Sequence, residues 1–502
     1  MNMTKSLILG SAAALLAMGG AQAADLPLKA KAVEYVRICS LYGAGFYYMP
    51  GTDTCIKLGG YVRVDLAVNG GDYNPYLNGA GGAQNRLSNY YNTRARTDVT
   101  IDTRTATEYG VVRTYSDLVF SVDSNSVSGS SPSAFGSFNT SGGAPSGGAG
   151  LGMYHAFIQF AGFTMGRTYS IFDTPWQSYP AGGPDTLPGG SNHVTGVNQI
   201  NYTADFGQGI TAAIGFDELT TMANGQANLY NLSASTAAGV STGVWGANDW
   251  GGTRVPDIVG ALRVDQAWGL AQLSVAAHDM HAAYYGANEA SGHPSDKWGF
   301  AVQGGLSIKN IPTGPGDTIN MNAVYTDGAT KYNFQSLMPT SFAMYGGTNV
   351  PGALQSIGIA QTADGTFVNN GGIESVKSWG FRGGYTHNWN ANWASSLYGA
   401  YAQVKYGNNA KAQIAANYAT VYPNAVINPD FNLAVIGFGT VWTPVKNLAF
   451  SGDVNVTWLD QKSSGTISGA TTAVAAAAKP AATYELKDQM GVSALFRAQR
   501  NF

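Results

Sequence analysis

Two early stretches carry the side chains whose types and spacing could do chemistry. In GYVRVDLAV (60–68), Tyr61, Arg63 and Asp65 fall on one side of a period-two alternation. Val62, Val64, Leu66 and Val68 fall on the other. In TRARTDVTIDTRT (93–105), Arg94, Arg96, Asp98, Asp102 and Arg104 share one face, and Ala95, Thr97, Val99, Ile101 and Thr103 the other. A row of guanidinium and carboxylate groups with no nucleophile among them can line a charged surface. It is not a catalytic constellation. GVSTG (239–243) matches a nucleophile-elbow pattern, but it lies in a Ser/Ala/Gly-rich stretch without the strand-turn-helix context that elbow needs. His278, His281 and His293 lack the cysteine or carboxylate company of a metal site. No phosphate loop or dinucleotide fingerprint occurs in a workable context. An enzyme is therefore not expected, nor a cofactor or a resident metal.

Composition says what kind of scaffold carries these rows. Charged residues are 11% of the chain, against about 25% in soluble domains. Hydrophobic residues reach 44%, yet they are dispersed, and mean hydropathy is −0.07. Gly occurs 66 times and Tyr 28 times. A lipid-facing surface has no need of charge, and barrel strands average to neutral hydropathy because they alternate. A glycine-rich secreted adhesin would share this composition. The charge balance, −3, and the lack of a basic patch argue against nucleic acid.

The first residues read as a cleavable export signal (1–23). Lys5 gives a positive start, Leu7 to Met18 is a short apolar run, and Ala21-Gln22-Ala23 is an A-x-A site. Removing it leaves 479 of the 502 residues, with 26 basic against 30 acidic side chains, a net charge of −4. No later stretch has the ~18 apolar residues of a spanning helix. In an exported chain, Cys39 and Cys55 are expected to form a disulfide around a Pro50-Gly51 turn, with two free thiols as the alternative.

Sixteen alternating segments follow: 59–68, 92–104, 110–121, 151–161, 163–171, 197–206, 210–218, 256–265, 270–279, 297–308, 317–327, 374–387, 393–405, 431–442, 448–460 and 485–502. Short connections such as 105–109, Gly162 and 207–209 alternate with long ones such as 122–150, 172–196, 219–255 and 328–373. Segregated loop lengths are the mark of a membrane β-barrel, and a soluble sandwich has no reason for them. The expected class is all-β: a transmembrane antiparallel barrel (59–502) preceded by a periplasmic segment (24–58). An even count brings both ends to the short-turn side, where the last strand closes on the first. Phe502 then sits at the membrane interface, and Trp268, Trp298, Trp389, Trp393 and Trp442 are expected in a girdle at the same short-turn ends.

The stretch AVEYVRICSLYGAGFYYMPGTDTCIKLGGYVR (32–63) and the close FRAQRNF (496–502) resemble the two ends of the mature porins of alphaproteobacteria. The resemblance implies a sixteen-stranded, usually homotrimeric, water-filled porin of the outer membrane that passes small hydrophilic solutes and ions. It also implies that Phe496 and Phe502 belong to a signal read by the barrel assembly machinery, although Arg500 departs from strict alternation. Porins of this type fold the third long loop into the lumen. Here that loop is 172–196, with Asp173 and Asp185. The expected constriction sets these carboxylates opposite Arg63, Arg94, Arg96, Arg113 and Arg167, so that a transverse field sets selectivity. A substrate-selective channel and a surface adhesin are the competing readings.

Overall fold

The computed structural model describes residues 37–69, 91–124, 148–176, 183–184, 186–221, 228–237, 239–334, 338, 340–474 and 477–502. Sixteen of its strands form one closed antiparallel barrel. They are β1 (Cys55–Val68), β2 (Tyr91–Thr107), β3 (Gly110–Asp123), β4 (Gly148–Phe160), β5 (Phe163–Thr168), β6 (Val197–Asp205), β7 (Ile210–Glu218) and β8 (Asp257–Gln266). The second half is β9 (Gly269–Met280), β10 (Lys297–Lys309), β11 (Thr318–Asp327), β12 (Lys377–Asn390), β13 (Trp393–Lys405), β14 (Phe431–Val445), β15 (Leu448–Gln461) and β16 (Gln489–Asn501). Each strand pairs with its neighbour in sequence, and β16 closes on β1 in a register running from Tyr61 opposite Asn501 to Val68 opposite Ala494. Closure leaves the barrel no unpaired edge.

The alternation is what selects this fold. On β1, Val64 and Leu66 are exposed to the outside, while Asp65 between them is buried. The same holds around the wall, where Phe216, Leu273, Val302, Phe381, Ile436 and Phe496 point out and Asp217, Gln272, Gln303, Arg382, Val435 and Leu495 point in. All sixteen expected strands are present. Their boundaries agree within three residues except for two, which move by four. β1 begins at Cys55, so the last four residues of the expected 24–58 segment are barrel wall, and β16 begins at Gln489 because Glu485 and Leu486 belong to a loop strand.

Cys39 and Cys55 are joined, with Cα atoms 6.1 Å apart. Between them Tyr47–Tyr48 pairs with Cys55–Ile56, and the hairpin turns at Pro50-Gly51, where Gly51 takes φ 76°. Proline then glycine with positive φ is the type II pattern. Phe46 and Tyr42 pack on the bridge, and the Arg104 guanidinium lies 4.9 Å from the Phe46 ring centroid. The hairpin therefore sits at the short-turn mouth. Beside it, the Phe502 N–H donates to the Gly60 carbonyl, and a Cβ at Gly60 would lie 2.0 Å from the Asp98 carbonyl oxygen. Gly60 is required there.

Phe502, Trp268, Trp389, Trp393 and Trp442 are exposed at the short-turn end as expected. Trp298 is not with them. It is the second residue of β10, which enters from a long loop, so it stands at the opposite end with Trp379 and Trp458. The period-two pattern locates a residue on a face but does not give the direction of its strand.

The long loops carry structure that alternation did not announce. One sheet joins Leu229–Asn231, Ala247–Asn248, Gly365–Phe367 and Glu374–Ser375. A second joins Ser341–Gly346, Ala353–Gln361, Ala477–Leu486, Ser464–Val474 and Ala425–Val426, and a twelve-residue helix, α1, spans Asn408–Ala419. Trp245, Tyr345, Ile357, Ile414, Tyr418 and Tyr484 are buried in the core these loops share. That core is continuous with the inner faces of β13 to β15, through Tyr398, Ala400, Ala402, Val404, Leu433, Val435 and Leu459. On this side the barrel is filled with apolar side chains.

Replacing both cysteines by serine is expected to leave the barrel's circular-dichroism signal intact but to lower its urea unfolding midpoint. A bridge with a sequence separation of 16 restrains about 3 kcal/mol of denatured-chain entropy. Urea titrations with and without reductant check this; an unchanged midpoint would mean the hairpin melts independently of the barrel.

Candidate pore lining and constriction

Register brings the early arginines together. Arg63 on β1 lies directly opposite Arg96 on β2, and Asp65 lies between Arg94 on β2 and Arg497 on β16. Arg497 Nε is 2.7 Å from one Asp65 oxygen and Arg63 Nε is 3.4 Å from the other. Arg96 Nε donates to Ser121 Oγ at 2.8 Å. Like charges directly opposite one another are unfavourable on a sheet. The Asp65 carboxylate offsets that cost here, and so does stacking, with Arg63 5.3 Å from the Tyr61 ring centroid and Arg96 5.7 Å from that of Tyr154. Tyr154 reaches this side because β4 bulges between Met153 and His155. Farther along the same wall are Asp98, Asp117 and His155, the last with Nε2 3.8 Å from Asp117.

Arg113 is not part of this group. It lies opposite Arg104, and both guanidinium groups hold Asp102 at 3.0 Å. Arg104 is eight residues from Arg96 on β2, about 27 Å along the strand. The tight turn after Thr107 reverses the chain, so Arg113 necessarily returns at the short-turn rim. Arg167 has a different task. Its Nε donates to the carbonyls of Met153 and Thr195, each at 3.0 Å, and so ties the end of the third long loop to β4.

The described residues of that loop (169–176, 183–184 and 186–196) lie inside the barrel. Its backbone polar groups are met by side chains of β9, β10 and β12. Gln272 Nε2 donates to the Asp173 carbonyl at 2.9 Å, and Gln303 Nε2 to that of Phe172 at 3.1 Å. The Ser191 N–H donates to Gln303 at 3.0 Å, and Arg382 donates to the Ser191 carbonyl at 2.8 Å. On β11, Asn322 bonds Thr174 and accepts from the Trp176 indole. A Cβ at Gly189 would lie 2.2 Å from the Phe381 backbone, so only glycine permits the approach. A buried loop must satisfy its backbone in this way.

Asp173 does not face the arginines. It is 3% exposed, and its carboxylate accepts from the His193 N–H at 2.7 Å and from Nδ1 at 2.9 Å. An unpaired carboxylate at that depth would be too costly, so the loop supplies its own cation. Asp185 lies outside the described residues. Burial alone would lower the His193 pKa, but the adjoining Asp173 carboxylate outweighs it and holds the imidazole above its usual range.

Sequence reasoning missed Arg497, although alternation in VSALFRAQRNF places it opposite Phe496 on the inner face. It also missed Gln272, Gln303, Asn322 and Arg382. These are ordinary polar residues on inner faces, and nothing local marks them as partners of a loop some 100 residues or more away. Phe496 and Phe502 are both more than half exposed on the outside.

A closed sixteen-stranded antiparallel barrel with an apolar exterior, a charged inner wall and an inward-folded third loop has the architecture of the porin-like barrels. The porin subfamily model matches residues 25–494, and the chain belongs to that family. Porin Omp2a of Brucella melitensis is 38% identical over 220 residues, covering 43% of this chain and 56% of the relative. Porin Omp2b of Brucella suis is 33% identical over 271 residues, covering 53% and 63%. The chain thus spans roughly six-tenths of the curated relatives it matches. The outer membrane channel DcaP of Acinetobacter baumannii superposes with a TM-score of 0.52 at 16% identity, over 91% of this chain and 99% of that one, a likeness of fold.

The His193 pKa is raised on folding. Its stabilising ion pair is therefore fully present below the ordinary imidazole pKa and is lost as pH rises through the raised value. Amide hydrogen exchange across 186–196, corrected for intrinsic rates, should lose several-fold protection as pH is taken above neutrality. Asp173→Asn should reduce protection near neutral pH and abolish the pH dependence; a pH response that survives in this variant would place its source elsewhere.

Proposed function

We propose that this chain forms a water-filled passive diffusion channel for small hydrophilic solutes and ions in the outer membrane of a Gram-negative cell. A homotrimer is the assembly this reading carries. The observation that bears most weight is the asymmetry of the interior. Apolar side chains fill the barrel along β13 and β14 and at Leu459 of β15, the third loop packs mainly on β9 to β12 and is tied through Arg167 to β4 at Met153, and among the described residues the charged rows of β1 and β2 contribute nothing to that apolar core. A solute would pass along this wall. Passage needs no chemistry, only a hydrated path whose charges favour some ions over others.

In this reading selectivity rests on Arg63, Arg94, Arg96 and Arg497, tempered by Asp65, Asp98 and Asp117. Asp173 is balanced by His193 and adds no free negative charge. Arg113 acts at the short-turn mouth and Arg167 acts through the loop it anchors. The cleavable export signal (1–23), delivery to the barrel assembly machinery through Phe496 and Phe502, and the periplasmic placement of the Cys39–Cys55 hairpin belong to the same proposal.

A second reading, a channel selective for stacking solutes such as sugars, is favoured by the tyrosines interleaved with the arginines: Tyr61, Tyr154 and Tyr115. Ring faces beside hydrogen-bonding guanidinium groups suit such solutes.

Refolded protein in a planar bilayer should give steady ohmic steps, in threes for a trimer. Under a salt gradient, Arg63→Ala with Arg96→Ala should shift the reversal potential toward cations relative to wild type. The shift should shrink at 1 M salt, where the screening length falls to about 3 Å. Absence of conductance from well-folded protein would overturn the channel, and current block by a neutral sugar would favour the second reading.

A further inference from the structure

The outer wall over β12 to β15 is layered in a way that plain lipid contact does not require. At the long-loop rim, Lys377 and Lys405 lie directly opposite one another, both outward and exposed. Like charges in that position are unfavourable on a sheet. Asp327 is 3.4 Å from Lys377, and Lys411 takes Asp430 at 3.1 Å. Asp460 is held by Lys462 and Asn432. Lys405 makes no ion pair among the described residues.

One layer below, amide groups run in register. The Trp379 indole donates to Gln403 at 3.2 Å, and Gln403 donates to Asn432 at 2.9 Å. Below these lies an aromatic layer, Phe381 opposite Tyr401, Tyr401 opposite Ala434, and Ala434 opposite Trp458. Under that layer the wall recedes into an apolar groove of about 930 Å³ that extends from Ala271 of β9 to Trp458 of β15, with Gly383 and Gly399 on its floor and Phe381, Tyr401 and Ile436 on its walls. Six residues separate Lys405 from Gly399, about 20 Å along a tilted strand. That is the reach from a headgroup into one leaflet of a hydrocarbon core about 30 Å thick.

We propose that this face is a binding site for one anionic glycolipid of the outer leaflet. Its phosphate would be held by Lys405 and Lys377, its sugar hydroxyls by Gln403 and Asn432, and an acyl chain by the groove. The proposal rests on the reading of the barrel as an outer-membrane protein with its long loops outward. The layers match such a molecule in order and in charge. An apolar contact to ordinary chains would need neither the paired lysines nor the amide row. A second copy of the chain would meet an unpartnered lysine above a hollow.

The test is native mass spectrometry of the full detergent-solubilised protein titrated with bis-phosphorylated lipid A. Its dephosphorylated form and phosphatidylethanolamine serve as comparisons. Wild type should retain the phosphorylated lipid and release the other two. Lys377→Ala with Lys405→Ala, and separately Gly399→Phe, should each weaken retention about tenfold. A Cβ at Gly399 meets only the Val435 carbonyl oxygen, at 3.4 Å, so the bulky variant can fold and fill the groove. Heat-modifiable gel mobility verifies folding, and if Gly399→Phe fails there, the lysine variant alone decides. Equal retention by the variants, or by wild type with the dephosphorylated lipid, would overturn the site. Loss of oligomers in Gly399→Phe with lipid retention unchanged would overturn it too, by making the groove a subunit contact. Wild-type conductance without lipid retention would overturn this site alone and leave the channel standing.

Discussion

A closed barrel of sixteen strands is too wide for its own side chains to fill. Much of the remaining structure answers that constraint. Something must enter the interior, and whatever enters brings backbone N–H and C=O groups that need partners. The third loop enters over β9 to β12, where Gln272, Gln303 and Arg382 take up those groups one by one and Asn322 holds the Thr174 and Trp176 side chains. The other long loops solve the problem differently, by forming small sheets and a helix whose internal hydrogen bonds are already made. Only then can they lay an apolar face against β13 to β15.

The charged groups follow the same logic. Asp173 lies deep in the loop and carries His193 with it. Asp65 lies in the wall and gathers Arg497 and Arg63. Crossing from β16 to β1, the Asp65–Arg497 pair also marks the seam where the barrel closes, so ends more than 400 residues apart are joined by charge as well as by backbone.

The barrel was legible because period two is a local signal that each strand repeats. Val62, Val64 and Leu66 against Arg63 and Asp65 are enough to orient β1. Alternation reports a face but neither height nor strand direction, which is why Arg113, expected at the constriction, lies at the short-turn rim and Trp298, expected at the short-turn end, lies at the other. It is silent about loops, where Trp245, Tyr418 and Tyr484 meet through contacts distant in sequence. The pairing of Cys39 with Cys55 was readable from the hairpin they bracket. The fate of Asp173 was not, because His193 stands 20 positions away with no periodic relation to it.

The one-sided filling divides the barrel lengthwise. An inward-pointing position on β14 or β15 near the long loops lies in an apolar core, and one on β1 or β2 lies among fixed charges. The same alternation therefore has two meanings around a single wall. Divergence among related chains should respect the division, with volume conserved on the filled half and charge traded freely on the open half. Inner-face positions would drift as two populations, split by strand number and not by depth.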